Sequence, residues 1–387
     1  MADLLEHTPP TAEEDALVAE MRRSLPHTPE ADRFCTRFNL LRCLRAFDKN
    51  VQSATEQMKK TLEMRNILGF DDIDLTAEME RYKANPLYPY GYANITGWDK
   101  GGFLVIFTVN GRTDTDGISK SMSHRAFLRK RLLESEYAIH LINEKEKETG
   151  KQSGIFLIID LEGLGFEKLW KPTMRLLARA MIISQSIYPG FLTRAYVINH
   201  PGYLSAGYKL MKPFLSKDTQ SKVHFIQSDW KIKLAGLIDA DQYPIHWGGT
   251  QSGTFGPYGE VPIGGEVPEK YHFNDWPSQE FMDSLENYSV PAGGTTKIVV
   301  NVKSTGHTLN WFVVGIDSDA ITVSLKQATE GEEKLLVPGW RISCEMYPEI
   351  GSHVCTVAGD YILELGNPIS WIRRKTIRAK FYVDENQ

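Results

Sequence analysis

Long apolar runs are missing from this 387-residue chain, and no stretch approaches the length needed to cross a bilayer as a helix. A positive excess is missing too. With 44 Lys plus Arg against 49 Asp plus Glu, the net charge is −5, which argues against wholesale nucleic-acid binding and leaves basic residues to be judged locally. Cysteine is scarce. The four present, Cys35, Cys43, Cys344 and Cys355, lack zinc-ligand spacing. Cys344 and Cys355 could face one another across neighbouring strands, but a reduced buried pair is the expectation for a cytosolic chain. The first thirty residues hold Asp3, Glu6, Glu13, Glu14, Asp15 and Glu20 without a sustained apolar run, so they do not read as a secretory signal. A cytoplasmic protein is expected, and the glycosylation patterns Asn94-Ile-Thr96 and Asn287-Tyr-Ser289 are then chance matches.

Signatures of catalysis are also wanting. Thr149-Gly150-Lys151 has a lysine where a phosphate-binding loop ending would need its first glycine of the pair, and no such loop is complete anywhere. Gly202-Tyr-Leu-Ser205-Ala-Gly207 places two residues before the serine where a nucleophile elbow needs one. Gly163-Leu-Gly165 lacks the third glycine of a dinucleotide loop. The ten histidines form no metal-ligand pair on one helical face, so no metal is expected. Asp160 and Glu162 stand where α/β proteins often place sites, yet two acids without a partnered His or Lys more often cap a helix or pair with an arginine.

What is present is organised around Gly154 to Gly165. Ile155 to Ile159 are five apolar residues without polar alternation, which predicts a central strand of a parallel sheet covered on both faces. Before it, Ser123 is placed to cap a long helix with Leu128, Leu132, Ser135, Ile139 and Ile142 on one stripe. After it, Pro172 opens a helical run from Thr173 to Ser186. Phe103 to Val109, Ala195 to Asn199 and Val223 to Ile226 read as further strands, and their alternation with helices predicts a mostly parallel sheet. Residues 1 to 30 read as a loosely held leader around a helical patch, Ala12 to Ser24. From about Asp32, the spacing of Phe38, Leu41 and Leu44, then Ala54, Met58, Leu62 and Arg65, predicts a small helical bundle ending near Gly69. Thr250 to Pro268 reads as a Gly/Pro linker. Beyond it, Thr296 to Val302, Leu309 to Gly315, Ile321 to Gln327, Tyr361 to Leu365 and Thr376 to Val383 predict an antiparallel β-sandwich. No internal repeat is apparent.

Gly202 to Leu215 carries the most functional information. At helical spacing Leu204, Tyr208, Met211 and Leu215 form one apolar stripe, while Tyr203, Ala206, Gly207, Leu210 and Phe214 form another. Lys209 and Lys212 mark the narrow polar side, and Pro213 should kink or end the helix. Two apolar faces need two apolar partners. A fully buried core helix and a lid with one face on a lipid are both compatible with this pattern.

Several fragments together resemble one family. Leu40-Leu41-Arg42-Cys43-Leu44-Arg45-Ala46 with Met64-Arg65, then Ile159 to Gly165, Tyr188-Pro189, Val197 to Pro201, Lys212 to Leu215 and Trp247 to Thr250 are similar, in order, to landmarks of CRAL-TRIO lipid-transfer proteins. The C-terminal region, with Gly359-Asp360-Tyr361 and the ending Arg373 to Val383, is similar to a GOLD domain. This combination resembles the supernatant protein factor and tocopherol-associated group. The resemblance implies a leader (1–30), an N-terminal bundle (31–75), an α/β lipid-binding domain with a gate helix (76–250), a linker (251–268) and an all-β GOLD sandwich (269–387).

It further implies a cytoplasmic, non-enzymatic carrier of a hydrophobic ligand, with no cofactor beyond a bound lipid and transient peripheral contact with membranes. Under this reading Tyr203 to Leu215 is the gate. Phe103, Val105, Phe107, Ile158, Met181, Ile198, Tyr203, Leu204, Tyr208, Met211 and Phe214 would line the pocket. Lys209, Lys212, Arg373 and Arg374 are the candidate membrane contacts. The run Arg373-Arg374-Lys375, with Arg378 and Lys380 outward on the same strand, reads either as a patch for anionic lipid or, more commonly for such a run, as a solvated charged edge that blocks unwanted strand pairing. Phosphatidylinositol-binding members carry Arg-Lys and Glu-Arg where this chain has Phe47-Asp48 and Gly190-Phe191, and Lys222 alone keeps the basic position. That favours a tocopherol-, squalene- or retinoid-like lipid over a charged head group. The alternative is an adaptor whose sandwich recruits a protein partner or a membrane when lipid is bound.

Overall fold

The computed structural model describes residues 7–169, 174–202, 204, 217–315, 321–329, 332–368, 370 and 372–384. The chain divides into two compact units, Met1–Asp114 with Arg131–Val267, and Thr115–Lys130 with Pro268–Gln387.

The first unit opens with helices α1 (Ala12–Arg23), α2 (Pro29–Phe34), α3 (Arg37–Ala46), α4 (Val51–Leu68) and α5 (Leu75–Lys83). Each starts where a short polar side chain, from Thr11, Thr28, Thr36, Asn50 or Asp74, accepts from a backbone N–H of the first turn. The expected loose leader is corrected here. Helix α1 has a complete capping box, buries Val18 and Met21, and sends Glu14 to Arg45 at 2.9 Å. Its acids are therefore partners for the bundle's arginines, which composition alone could not reveal. Arg42 forms a fully buried pair with Glu146, and Arg65 pairs with both Glu136 and Asp71, so two arginines of the bundle motif anchor it to the long helix α7 (His124–Thr149), which follows the short α6 (Thr115–Ser121) in the chain. Burial pushes the Glu136 and Glu146 carboxyls up, and the facing Arg65 and Arg42 guanidinium groups oppose that shift.

The sheet of this unit has the order β1 (Ala93–Trp98), β2 (Leu104–Thr108), β3 (Ile155–Asp160), β4 (Leu192–Ile198) and β5 (Val223–Phe225). Strands β2 to β5 are parallel, while β1 is an antiparallel edge with a bulge between Ile95 and Gly97. Sequence patterning missed β1 because Asn94, Gly97 and a uniformly half-buried pattern give it no alternation. The strand order follows the chain order, so right-handed crossovers put α7 and, after the short α8 (Phe166–Leu169), helix α9 (Met174–Ile187) on one face of the sheet. Residues 251–268 are not a loose linker. They fold back through bridges Pro244↔Gln251 and Thr113↔Gly265 and bury Val261 and Val267 completely or nearly so.

The second unit contains two four-stranded antiparallel sheets, β10-β9-β12-β7 and β11-β8-β13-β6. The five expected strands are present as β7 (Thr295–Val302), β8 (Thr308–Gly315), β9 (Ile321–Thr329), β12 (Gly359–Gly366) and β13 (Lys375–Asp384). They are joined by β6 (Glu286–Val290), β10 (Glu332–Ile342) and β11 (Glu349–Val354). Alternate residues such as Leu309, Trp311 and Val313 on β8, and Tyr361, Leu363 and Leu365 on β12, supply the buried core. Thr115–Lys130 belongs with this unit rather than with the α/β unit, where the expected boundaries had placed it. The reason is Arg125. It pairs with the buried Glu349 and donates to Pro338 O at 2.8 Å and Val323 O at 2.6 Å. All four cysteines are buried thiols, and burial raises Cys344 well above the usual thiol range.

Candidate functional site

Register fixes which side chains share a face, because paired residues of neighbouring strands point the same way and successive residues alternate. One face carries Val105, Phe107, Phe156, Ile158, Asp160, Arg194, Tyr196 and Ile198. It is filled by protein. Phe107 lies 4.5 Å from the Trp247 ring and 6.1 Å from Tyr243, and the Trp247 Nε1–H donates to Asp160 Oδ2 at 2.9 Å.

The other face carries Leu104, Ile106, Thr108, Ile155, Leu157, Ile159, Ala195, Val197, Val223 and Phe225. Thr108 is its one polar side chain, and its hydroxyl donates to Ile158 O at 3.3 Å. This is the face over which α7 and α9 pass, yet Ile106, Leu157, Ile159, Val223 and Phe225 are only half-buried. Leu161, Leu164, Val197 and Leu204 form a small apolar cluster at its carboxyl end, with Ile159, Val223 and Phe225 packed against it. Helix α9 follows the same division. Leu176, Ala180 and Ile187 are buried on one stripe, while Leu177, Ala178 and Met181 are half-buried. A half-buried apolar sheet face beneath α7 and α9 is suited to an apolar guest.

The polar groups gather at the carboxyl end of β3. Asp160 Oδ1 accepts from Glu162 N and Asn199 Nδ2, each at 2.9 Å, while Oδ2 takes the Trp247 indole. Glu162 pairs with Arg112, whose guanidinium also reaches the Tyr258 hydroxyl. His246 stacks on Tyr258 at 4.0 Å, and burial lowers its pKa against the pull of the two nearby acids. Asp160, Glu162 and His246 bring ligand atoms within 4.8 Å of one another. The donor set does not fit a metal, because Asp160 already satisfies three N–H donors and Glu162 is taken by Arg112. These acids act structurally, as their isolation in sequence suggested.

The expected pocket residues separate into groups. Val105, Phe107, Ile158 and Ile198 sit on the face filled by Trp247 and Tyr243, so they pack the core and cannot line the same surface as Leu204. Phe103 shares their parity and stacks on His7 at 5.0 Å. Leu204 is buried against Val197, on the opposite face, and Met181 is half-buried on α9. Tyr203, Tyr208, Lys209, Met211, Lys212 and Phe214, and with them most of the expected gate, lie outside the described residues. Ile106, Leu157, Ile159, Val223 and Phe225 were missed; the unbroken apolar run of β3 conceals which parity faces inward. Phe191 is 5% exposed and lies beneath the Arg42 guanidinium at 4.2 Å, so its replacement of a charged residue serves the bundle–sheet junction. Arg373 and Arg374 are exposed beside Ile372, which is 91% exposed. Arg378 instead donates to Met282 O, and Lys380 lies 2.9 Å from Ser284 Oγ, so neither extends a free basic edge.

Comparison with known proteins agrees with this architecture. A family model described as the CRAL/TRIO domain matches residues 88–249. Protein ctg-1 of Caenorhabditis elegans is 25% identical over 357 residues, covering 89% of this chain and 91% of that protein. The CRAL-TRIO domain-containing protein F28H7.8 of the same organism is 24% identical over 383 residues, covering 94% and 89%. Among solved structures, that of Sfh5 superposes with a TM-score of 0.46 at 15% identity, covering 71% of this chain and 96% of that one.

Proposed function

This chain carries a CRAL/TRIO domain followed by antiparallel sheets that fit a GOLD-like domain, and from that premise we infer a carrier that takes up one hydrophobic ligand and moves it between membranes. CRAL/TRIO proteins are in general lipid-binding carriers and not enzymes. The observation that carries the reading for this chain is the half-buried apolar face of Ile106, Leu157, Ile159, Val223 and Phe225 beneath α7 and α9. Each methylene withdrawn from water contributes about 0.8 kcal/mol, so a chain of roughly twenty carbons is nearly insoluble but close to indifferent between a bilayer and a matched apolar surface. Transfer is then limited by access rather than by affinity. The bound lipid is the only non-protein component this reading requires.

No helix among the described residues is long and apolar enough to cross a membrane, so contact with a bilayer would be peripheral. The supporting feature is the loop at Ile372, Arg373 and Arg374. An exposed apolar side chain next to two guanidinium groups suits an anionic surface, with each basic residue worth about 1 kcal/mol near it. The loop is held in shape by Ser370 Oγ, which donates to Arg373 O at 2.7 Å and accepts from Arg373 N at 3.0 Å.

The test loads purified protein from a mixed lipid extract and identifies the retained species by mass spectrometry. A stoichiometric neutral lipid is expected. Leu157→Asp should abolish loading, whereas Phe107→Ala, on the filled face, should cost about 3–5 kcal/mol of stability and leave loading intact. Full loading of Leu157→Asp would refute the assigned face, and no retained lipid in the parent protein would refute the carrier. Arg373→Glu/Arg374→Glu should lose binding to vesicles containing phosphatidylserine and keep lipid loading.

A further inference from the structure

His200 has no assigned role, and its surroundings are unusual. It follows β4 through Asn199, a residue at φ +51 whose side-chain amide donates to Asp160 at 2.9 Å. That turn sets the imidazole against Phe225, with ring centroids 5.3 Å apart and planes at 80°. Phe225 belongs to the half-buried apolar face and packs on the cluster of Leu161, Leu164, Val197 and Leu204. Both ring nitrogens of His200 are shut off from solvent, and neither has a hydrogen-bond partner among the described residues.

A neutral imidazole presents one N–H donor and one acceptor nitrogen, and buried polar groups of this kind are almost always paired. A trapped water is a poor answer here. It would need two to four polar neighbours of its own, and the described ring that His200 packs on is that of Phe225, itself set against an aliphatic cluster. An ionised head group is disfavoured by the same apolar surroundings. A single hydroxyl fits, since it can accept from the N–H tautomer or donate to the bare nitrogen.

We propose that His200 is the polar anchor of the ligand site, and that the ligand is an apolar body ending in one uncharged hydroxyl. This deepens the carrier reading and rests on it. The apolar sheet face would hold the hydrocarbon body, and the hydroxyl would lie at the carboxyl end of β4 beside Phe225. His200 thereby separates an alcohol from a pure hydrocarbon of equal length, a distinction that the apolar face alone cannot make.

The experiment offers the full-length protein phosphatidylcholine vesicles holding equal amounts of 1-octadecanol and octadecane, then re-isolates it and measures both bound species by gas chromatography. The parent protein should show an alcohol-to-hydrocarbon ratio about five- to tenfold above that of His200→Phe, as expected for one net hydrogen bond. His200→Gln, which keeps a donor and an acceptor, should retain most of the preference. Equal ratios in the parent and His200→Phe, with both lipids bound, would overturn the anchor and leave the carrier standing. Failure of the parent to retain either lipid would overturn both. If His200→Phe does not fold, the imidazole 15N shifts of the parent decide. A shift on loading octadecanol but not octadecane supports the anchor, and identical spectra with both lipids bound overturn it.

Discussion

Replacing Asp160 with Asn tests the hub that joins β3, the Asn199 turn and Trp247. The carboxylate is 2% exposed and accepts three N–H groups at 2.9 Å, two on Oδ1 and one on Oδ2. An amide has one oxygen. With that oxygen in the Oδ1 position, its NH2 group faces the Trp247 indole N–H, and a buried donor is left opposed to another donor. Losing that bond costs about 1–3 kcal/mol, and loss of charge assistance in the other two brings the expected total to roughly 2–4 kcal/mol. Because the chain has two units, the measurement is hydrogen exchange at the amides of β3 and β4, which reads the opening free energy of their own unit. Trp247→Phe removes the opposed donor, so Asp160→Asn should cost distinctly less in that background, with a coupling of about 1–2 kcal/mol. A single-variant effect below about 0.5 kcal/mol, or strict additivity in the double variant, would refute the hub.

Arg125→Met should destabilise the second unit by about 3–5 kcal/mol in urea unfolding, because Glu349 would remain buried without its cation, and adding Glu349→Gln should recover a large part. Gly190→Ala should lower the thermal midpoint of the first unit by an amount equivalent to roughly 2–3 kcal/mol, since Gly190 sits at φ +81 and a Cβ would lie 2.5 Å from Arg42 O. The pH dependence carries two signs that urea titrations can separate. Glu14, held down to about 2 mainly by its hydrogen bond to Arg45, contributes stability that is complete above its ordinary value near 4.5 and is lost as pH falls from there towards 2; Glu14→Gln should flatten that limb. His246 has a pKa lowered chiefly by burial, so the unfolded chain takes up its proton first; its contribution is complete above the ordinary value near 6.5 and is lost as pH falls below it, a decline that His246→Phe should reduce.

The sequence disclosed the architecture far better than the site. The strands β2 to β5 could be placed because apolar runs bounded by glycine or by turns admit few alternatives, and Ser123 does cap α7 by accepting from Ala126 N at 3.1 Å. The helical patch of the leader was legible, but its docking was not. Glu14 and Arg45 are 31 positions apart, and no local pattern says that they meet. Residues 251–268 misled for a related reason. Glycine and proline reported turns correctly, while the bridges that tie those turns down depend on partners at Thr113 and Pro244. Strands β6, β10 and β11 escaped because edge strands expose much of their length and blur the alternation that marks them.

The site was harder because it depends on parity. In Ile155-Phe-Leu-Ile-Ile-Asp160 every position but the last is apolar, so either set of alternating residues could have faced a ligand. Contacts made by Trp247 and Leu204 tell the two faces apart. Trp247 reaches Asp160 and Phe107 from one side, and Leu204 reaches Val197 from the other. A shift of one residue in this assignment exchanges the whole lining, which is why Val105, Phe107, Ile158 and Ile198 were expected in the pocket and are found in the core. The same parity gives His200 its meaning. Asn199 leaves β4 at positive φ and breaks the alternation that would have sent position 200 to the filled face, and that turn sets a polar ring against Phe225 on the apolar side of the sheet.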